Sequence, residues 1–546
     1  MIKTSVSHPL RIDSMMLPHC HGVIGMTICP GKKGPGIFSD RWDRDLDTDL
    51  NAICQWGAAA MVSLVEDHEF DLLGVSTFKD RVSKFNFLWF HLPIVDVSVP
   101  CSDFEKAWSR QASRIHEVLY SGGKIVLHCR GGLGRTGLVA ARLLVDFGLD
   151  AEQAIRQVRS ARPDTIETAE QEQHVFQYYA RNKRRNLDHY LGCMLGGAIG
   201  DALGSAVEFD TLAEIRQRYG FDGITSYAEA YGRSGSITDD TQMALFTAEG
   251  LLHATSRAGF YRKKPSFTAC AWKSYRRWMV TQGELDKNSV NNDGWLINLV
   301  DLHHRRAPGN TCLSSLKRNH LHRFGRALPF NESKGCGAVM RMAPVGLLFQ
   351  SPFLSFLARS DLRHDRAFDV GRNLGYLTHA HPSGYLPGAF LSALISRIIH
   401  GEDLSAALDH CCQTLSKQHG AKETLRAVEK ARALASQPSH ASSPNLLSQL
   451  GEGWVGNEAL AIGIYCAIVA KTDFDLGICL AVNHDGDSDS TGAVAGNILG
   501  ALLGCRAIGK QWLDKLELRR DLERMATDLF LGYMDSADWW ERYPHN

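Results

Sequence analysis

The stretch KIVLHCRGGLGRTG, residues 124–137, decides the fold of the first third of the chain. Its first five residues form a short apolar run of the kind that makes a buried strand. The glycines that follow mark a tight turn, and residues 138–147 have the spacing of a helix. A strand, a glycine-rich turn and a helix in this order predict an α/β domain with a central sheet.

The turn between this strand and this helix has the properties of a phosphate-binding loop. Its glycines relax the φ restriction of a tight loop, so that backbone N–H groups can point inward. The positive end of the following helix adds to the same field. We therefore expect a phosphate group to be bound by the loop residues Arg130, Gly131, Gly132, Leu133 and Gly134.

Three side chains of this segment supply groups for phosphate-ester hydrolysis. The field of the loop should lower the pKa of Cys129 and favour the nucleophilic thiolate. Arg135 can offer a bidentate fork to two phosphate oxygens. Thr136 can donate a hydrogen bond to the sulfur when it leaves in the second step. His128 and Arg130 either tune the thiolate or only end the strand.

The same reaction needs an acid for the leaving oxygen. Asp96 follows a predicted strand at residues 87–92 and lies on a predicted loop, from which it can close over the phosphate. The alternative is an ordinary strand-to-helix turn, because a glycine-rich loop alone is weak evidence. The complementary roles of a thiol, a guanidinium, a hydroxyl and an upstream carboxyl group favour the catalytic interpretation.

These residues resemble the protein-tyrosine and dual-specificity phosphatase superfamily, in particular its kinase-associated-phosphatase-like branch. The resemblance rests on residues 128–137 and 93–96 and covers nearly all of residues 1–180. It extends to residues 56–58, 64–69 and 166–168, with Gln171. It implies an α/β phosphatase fold, with the thiol as nucleophile, the guanidinium as phosphate ligand and the upstream carboxyl group as general acid.

The overall composition restricts the partners that can be expected. Lys plus Arg and Asp plus Glu both number 60, so the formal net charge is zero. A neutral chain gives no support to nucleic-acid or membrane-surface binding. No signal peptide and no apolar run of membrane-spanning length is visible, so we expect a cytoplasmic protein. Most of the 14 cysteines are expected to be buried thiols.

The character of the chain changes after residue 190, where Ala, Gly and Leu dominate. Long helical periods lie at residues 243–254, 384–400 and 457–470. Strand-like alternation is scarce, so this half is predicted to be all-α. The basic run at 181–185 is interpreted as a solvated linker, which places the domains at 1–182 and 188–546.

Three acidic motifs are scattered over the second domain: GDALGSAVEF at 200–209, TDDT at 238–241 and DGDSDST at 485–491. The last two alternate hydroxyls with carboxylates just before predicted helices. Oxygen-only ligands suit magnesium, calcium or manganese, and not zinc. Either motif alone could be a simple helix N-cap. Both together favour a site for two hard cations.

The three motifs together resemble the ADP-ribosylglycohydrolase family over about residues 188–535. Supporting stretches are residues 192–204, 306–311, 333–344, 378–382 and 483–500. The resemblance implies a compact all-α fold with two Mg²⁺ ions, or Mn²⁺ in their place. The implied metal ligands are Thr238, Asp239, Asp240, Asp487, Asp489 and Ser490.

The resemblance also implies the remaining residues of this second site. Glu208 would lie at its mouth and contact or gate the distal ribose. The metals would orient the ribose hydroxyls and polarise a water. Asp239, Asp240 or Glu208 would then carry the proton. The residues implied to line the ADP-ribose pocket are Ser333, Gly335, Gly337 and His379.

Some residues depart from the family pattern or have two interpretations. Cys336 stands where many relatives carry Asn, which puts that pocket contact in doubt. Asp485 adds a carboxylate beside the metal motif and is expected to be solvated. His381 is expected to be a core histidine, whereas His379 is equally compatible with a core and a pocket position.

The two resemblances predict a bifunctional hydrolase. The first domain would dephosphorylate a phosphorylated substrate, and the second would release ADP-ribose from an ADP-ribosylated protein or a small ADP-ribosyl adduct. Residues 378–386 and 486–491 look closer to arginine-type members, which favours a modified arginine. The alternative is a first domain that only recognises such a substrate and delivers it to the second. A non-enzymatic scaffold would predict damaged metal motifs, and these are intact.

Overall fold

In the computed structural model the chain forms two compact units, Met1–Arg184 and Arg185–Asn546. The structure describes residues 2–17, 21–35, 41–182, 185–261, 264–291, 293–318, 331–352, 354, 362–437 and 444–544. Within the predicted linker, residues 183 and 184 lie outside these stretches. No helix of the described stretches is long and apolar enough to cross a membrane.

The first unit is built on a five-stranded sheet. The described strands of the whole unit are β1 (Asp13–Met16), β2 (Val23–Thr27), β3 (Lys33–Gly34), β4 (Trp42–Asp43), β5 (Ala58–Ser63), β6 (Leu88–His91) and β7 (Lys124–His128). Its helices are α1 (Leu46–Trp56), α2 (Asp67–Leu72), α3 (Phe78–Val82), α4 (Ser102–Tyr120), α5 (Gly134–Asp146), α6 (Ala151–Ala161) and α7 (Ala169–Arg181). The sheet order is β1-β2-β7-β5-β6, and β3 pairs with β4 separately. Only β1 runs antiparallel to its neighbour in the larger sheet.

The parallel strands bring four loops to one edge of this sheet. Thr27, His128 and Ser63 are in register at the carboxyl ends of β2, β7 and β5. Since the carboxyl ends of parallel strands meet at the same edge, the loops after β2, β5, β6 and β7 come together there. The loop after β7 begins with Cys129, and the loop after β6 carries Asp96. The predicted α/β fold with a central sheet is confirmed.

The second unit is almost entirely helical, as predicted. Its described α-helices are α8 (Leu187–Gly204), α9 (Leu212–Tyr219), α10 (Asp239–Tyr261), α11 (Phe267–Thr281), α12 (Asn310–Arg318), α13 (Ala343–Phe349), α14 (Arg363–Gly375), α15 (Pro382–His400), α16 (Leu404–Ser416), α17 (Lys422–Ala435), α18 (Pro444–Leu447), α19 (Gly456–Ala470), α20 (Phe474–Val482), α21 (Ser488–Leu503), α22 (Lys510–Leu513), α23 (Arg519–Leu531) and α24 (Ala537–Arg542). Short 3₁₀ helices cover Lys287–Ser289, Leu296–Asn298, Val300–Leu302, Cys336–Arg341, Ser448–Leu450 and Cys505–Ala507. A two-residue hairpin pairs β8 (Glu229–Ala230) with β9 (Arg233–Ser234).

Helices α8 and α21 pack in very close contact. The residues at this contact are spaced four apart in each helix: Gly192, Gly196, Gly200 and Gly204 against Gly500, Gly496, Gly492 and Ser488. A Cβ atom added at Gly196 would lie 2.4 Å from the carbonyl oxygen of Gly496. At Gly196 only a residue without a side chain permits this approach. The contact places the carboxyl end of α8 beside the amino end of α21.

Three predicted boundaries are corrected by the structure. Helix α5 begins at Gly134, so part of the predicted loop forms its first turn. The two metal motifs do not precede their helices: Asp239 opens α10, and Ser488 opens α21 with Asp487 as its N-cap. The reason is that acidic residues are favourable in a helix's first turn, where they face unpaired N–H groups.

Candidate active sites

The cysteine loop of the first unit is held tightly against the sheet. Cys129 directly follows β7 and is buried, with 3% of its surface exposed. Gly132 has a φ of 71°, and a Cβ atom there would lie 2.3 Å from the carbonyl oxygen of Thr27. Only glycine fits both constraints. The segment Arg130–Gly134 therefore forms a compact turn between β7 and α5, as the strand–turn–helix pattern predicted.

Arg135 is fixed by a carboxylate that the sequence interpretation left without a role. The buried Glu69 accepts hydrogen bonds from Arg135 Nη1 at 2.6 Å and from Nη2 at 2.9 Å. Nη1 also donates to the carbonyl of Ile94 at 2.9 Å. Burial opposes ionisation of Glu69, but the hydrogen bonds from Arg135 hold its pKa below the usual value. Both termini of the guanidinium are thus oriented before any ligand binds.

Asp96 lies beside the loop Cys129–Arg135, which we call the phosphate cradle. Its Oδ1 is 2.8 Å from Arg135 Nη2, and its Oδ2 is 3.7 Å from Arg130 Nη1. Its side chain is 44% exposed, and the next residue, Val97, has a φ of 59°. The structure therefore brings the expected acid together with the expected phosphate ligand, on a loop that reaches solvent.

Three residues close to Cys129 in the chain, His128, Thr136 and Gly134, are also buried. His128 Nε2 lies 2.6 Å from Ser63 Oγ, and burial lowers the pKa of His128 to about 3. The Thr136 hydroxyl is buried without a hydrogen-bond partner among the described residues, which leaves it available to the sulfur. The N–H of Gly134 donates to Glu167 Oε2 at 2.8 Å. One loop amide is therefore already paired with a carboxylate.

The second unit gathers the predicted metal ligands into a buried cluster. Thr238, Asp239, Asp240, Asp487, Asp489 and Ser490 are each at most 4% exposed. Asp487 accepts from the backbone N–H of Ser490 at 3.2 Å. Burial and repulsion among neighbouring carboxylates raise the pKa of Asp239, Asp240 and Asp489 well above the usual value.

Asp201, near the end of α8, organises this cluster and was missed as a site residue. Its carboxylate accepts from the N–H of Thr238 at 3.0 Å and from that of Thr241 at 3.1 Å. It is completely buried, and burial followed by repulsion from Asp489 raises its pKa to about 7. The sequence signal was its place in the first acidic motif, seven residues before Glu208.

The cluster has the chemistry of a site for hard cations. Asp240 Oδ2 and Glu208 Oε2 are buried and have no hydrogen-bond partner in the part of the chain that the structure covers. Burial and the cluster carboxylates raise the pKa of Glu208 to about 10. Buried negative charge without a counter-charge is costly, and bound cations relieve it. Across the described stretches, no three His, Cys, Asp or Glu side chains stand at metal-site spacing.

The predicted ADP-ribose pocket residues meet beside the 3₁₀ helix Cys336–Arg341. The N–H of Gly335 donates to Ser333 Oγ at 3.3 Å. A Cβ atom on Gly335 or Gly337 would lie within 3.5 Å of His379 Nε2. These four residues therefore lie together, and the imidazole of His379, which is 1% exposed, packs directly against the two glycines. Burial, followed by the charge of Arg341, lowers the pKa of His379 to about 3.

The residues that depart from the family pattern all have partners. The Cys336 thiol donates to Asp487 Oδ2 at 2.8 Å, so it touches the cluster directly. Asp485 is exposed, as expected, and accepts from the N–H of Leu212 at 2.6 Å. The prediction of a core position for His381 is wrong: it is half-buried, and its Nδ1 caps α15 through the N–H of Ser383.

The protein families that match this chain agree with the geometry of the two candidate sites. Residues 182–538 match the ADP-ribosylglycohydrolase family, and because this is more than half of the chain, the protein belongs to that family. Residues 43–175 match the family described as Swiss Army Knife protein, DSP-PTPase phosphatase domain. The first unit thus carries a domain of the dual-specificity phosphatase type. Both expected families are confirmed.

Individual relatives point to the same two families. The chain is 28% identical over 354 residues to the ADP-ribosyl-dinitrogen reductase glycohydrolase of Rhodospirillum rubrum, covering 63% of this chain and 96% of that protein. It is 26% identical over 349 residues to ADP-ribosylarginine hydrolase Tri1 of Serratia proteamaculans, covering 63% and 80%. A match of 47 residues, 51% identical, links it to protein tyrosine phosphatase domain-containing protein 1 of Danio rerio, covering 8% and 7%.

Proposed function

We propose that this protein is a bifunctional hydrolase. Its second unit removes ADP-ribose from a modified arginine with the help of two Mg²⁺ ions, and its first unit hydrolyses a phosphomonoester through Cys129. The observation that carries the proposal is the buried carboxylate cluster between α8, α10 and α21. No basic side chain of the described residues forms an ion pair with these carboxylates. Its partners are an ADP-ribosylated protein or small ADP-ribosyl adduct and a phosphorylated substrate. A cytoplasmic location stays a prediction.

The ions would be held by one set of oxygen donors. When bound there, Mg²⁺ or Mn²⁺ would supply positive charge for orienting the distal ribose hydroxyls and for polarising a water. Asp201 holds the backbone of the TDDT motif in position. The proposed ligands are Thr238, Asp239, Asp240, Asp487, Asp489 and Ser490.

We assign the role of general base, which takes the proton of the attacking water, to a carboxylate at the mouth of the cluster. Glu208 Oε2 is buried and unpaired in the described structure. Cations held by the cluster would offset the burial and the carboxylate repulsion that raise its pKa, so that it could accept the proton of the attacking water. Asp239 and Asp240 are the alternatives. Ser333, Gly335, Gly337 and His379 would hold the ADP-ribose, with His379 as a neutral imidazole.

Arginine is the proposed attachment residue. One relative carries the name ADP-ribosylarginine hydrolase and aligns with 63% of this chain. The test presents full-length protein with two substrates, one protein modified on arginine and one modified on serine, and measures released ADP-ribose. The proposal expects release from arginine alone. Release from serine alone would assign a different linkage.

The phosphatase reaction follows from the cradle of the first unit. The Cys129 sulfur attacks phosphorus, the bond to the leaving oxygen breaks, and Asp96 gives its proton to that oxygen. Water then attacks the thiophosphate, Asp96 takes back a proton, and the phosphorus–sulfur bond breaks to restore the thiolate. Arg135 holds two phosphate oxygens in both steps, and the unpaired Thr136 hydroxyl donates to the departing sulfur.

Hydrolysis of a generic aryl phosphate distinguishes a catalytic first unit from one that only binds phosphate. The proposal expects turnover by the wild-type chain and loss of turnover in Cys129→Ser, with inorganic phosphate still bound by both. Cys101→Ser, which changes an exposed cysteine of the same unit, is the matched control. Phosphate binding without turnover by the wild type would instead support a recognition module.

A further inference from the structure

A buried lysine from another loop reaches the phosphate cradle. Lys32 lies on the loop after β2 and is only 7% exposed. Its Nζ donates to the carbonyl oxygen of Arg130 at 3.3 Å. Arg130 follows the nucleophilic Cys129 in the chain, so the ammonium group stands beside the loop that would hold a phosphate.

The position of Lys32 is fixed by a buried ion pair. Arg44 donates to Asp49 from Nε at 2.7 Å and from Nη2 at 2.8 Å, and both side chains are 1% exposed. Asp49 also accepts from the N–H of Gly31 at 2.8 Å, and the N–H of Arg44 donates to the carbonyl of Lys32 at 3.2 Å. The loop is thus anchored on both sides of this lysine.

Gly31 makes this anchoring possible. Its φ is 74°, and a Cβ atom there would lie within 3.0 Å of Leu46 and Val75. A residue with a side chain would therefore push the loop, and with it Lys32, away from the cradle.

The surroundings of Lys32 leave its charge uncompensated. Burial and then the Arg130 cation lower the pKa of Lys32, while Cys29, Cys129 and Asp96 favour its charged form. No carboxylate of the described residues lies within ion-pair distance of Nζ. An ammonium group has three donors, and the described residues accept from only one of them. A buried cation with free donors at an anion-binding loop is in the position of a ligand-binding group.

We propose that Lys32 is a second phosphate-binding residue of the first unit, donating through Nζ to an oxygen of the phosphomonoester that Arg135 also holds. The inference rests on the proposed phosphatase site and adds a cation from outside its Cys–Arg loop. It assigns the site to a doubly charged phosphate group, because two cations converge on one anion.

The test measures binding of inorganic tungstate, a phosphate-like oxyanion, to the full-length chain by calorimetry. Lys32→Met should weaken binding by at least about tenfold, the scale of a lost charge-assisted hydrogen bond. Lys32→Arg should restore most of it. The control is Lys33→Met, because this neighbouring side chain is 52% exposed and pairs with Asp43 at 3.9 Å. Its tungstate affinity should stay within about twofold of wild type.

Two further readouts separate a binding role from a structural one. Tungstate should protect the wild-type Cys129 from iodoacetamide and protect the Lys32→Met chain less, while both melt at similar temperatures. If Lys32→Met does not fold, Lys32→Gln takes its place. Equal tungstate affinity in wild type and variant would overturn the role of Lys32. Failure of the wild type to bind tungstate would instead reject the phosphatase site itself.

Discussion

Asp96 Oδ1 lies 2.8 Å from Nη2 of Arg135, so the proposed acid forms an ion pair with the proposed phosphate ligand. The same guanidinium is held from the opposite side by Glu69. A phosphate that enters the cradle therefore competes with a carboxylate that already stands on its binding group. Asp96 occupies the phosphate-binding side of Arg135 and is also the proposed acid, so its loop must shift when substrate binds.

Replacement of Asp96 by Asn should separate these two effects. Loss of the acid should lower kcat for an alkyl phosphate by about 100-fold or more, with a smaller effect on an aryl phosphate that has a good leaving group. Loss of the negative charge should at the same time tighten tungstate binding. Steady-state kinetics and calorimetry measure the two quantities. Asp103→Asn, at a carboxylate that is 83% exposed, should change neither, and unchanged alkyl phosphate turnover in Asp96→Asn would remove the assigned acid.

Replacement of Glu69 by Gln should destabilise the first unit. It removes the buried counter-charge of Arg135 and leaves only the half-exposed Asp96 paired with it, which costs about 3 kcal/mol of unfolding free energy. The measurement is chemical denaturation followed at the transition of the first unit. The matched control is Asp71→Asn, which changes an exposed carboxylate just after Glu69 in the same helix. Equal losses in the two variants would contradict the anchoring role.

The destabilisation by Glu69→Gln should depend on pH in a defined direction. Because the folded pKa of Glu69 is lowered, its contribution is complete above the unfolded value of about 4.3. It is lost as the pH falls through the lowered folded value. The difference in unfolding free energy between wild type and variant should therefore be constant above about pH 5 and shrink below it. A difference that grows on acidification would have the wrong sign.

Replacement of Gly496 by Ala should separate α8 from α21. The added Cβ atom would lie 1.9 Å from the carbonyl oxygen of Gly196, so the helices must move apart at a cost of at least about 2 kcal/mol. The carboxylates at their ends would move with them, and ADP-ribose release should fall. Thermal denaturation and the release assay check both effects. Gly309→Ala, whose added atom meets nothing within 4 Å, is the control for stability.

The local parts of both sites could be predicted from sequence. The strand, the cysteine loop and α5 are consecutive, so hydrophobic pattern and glycine placement were enough to predict them. The carboxylates of the TDDT and DGDSDST motifs were found because their composition is unusual. The positions of these helix starts were missed by a few residues, since a ligand motif and an N-cap use the same residue types.

The supporting residues could not be predicted in the same way. Glu69 reaches Arg135 from helix α2, 66 residues away in the chain, and Lys32 reaches Arg130 from the loop after β2, 98 residues away. Only the register of the parallel strands brings them together. Asp201 reaches Thr238 through the packing of α8 against α10 and α21. A usable signal existed for that packing, because glycines repeat every four residues in both α8 and α21.

Release of ADP-ribose from an arginine-modified protein, measured against Mg²⁺ concentration, tests the central claim most directly. The wild-type chain should release ADP-ribose only when Mg²⁺ is present, and Asp239→Ala should lose release at every concentration. Asp485→Asn, at the exposed carboxylate beside the cluster, should behave as wild type. Release that persists after chelation of divalent metals, or in folded Asp239→Ala, would contradict the account of the second site.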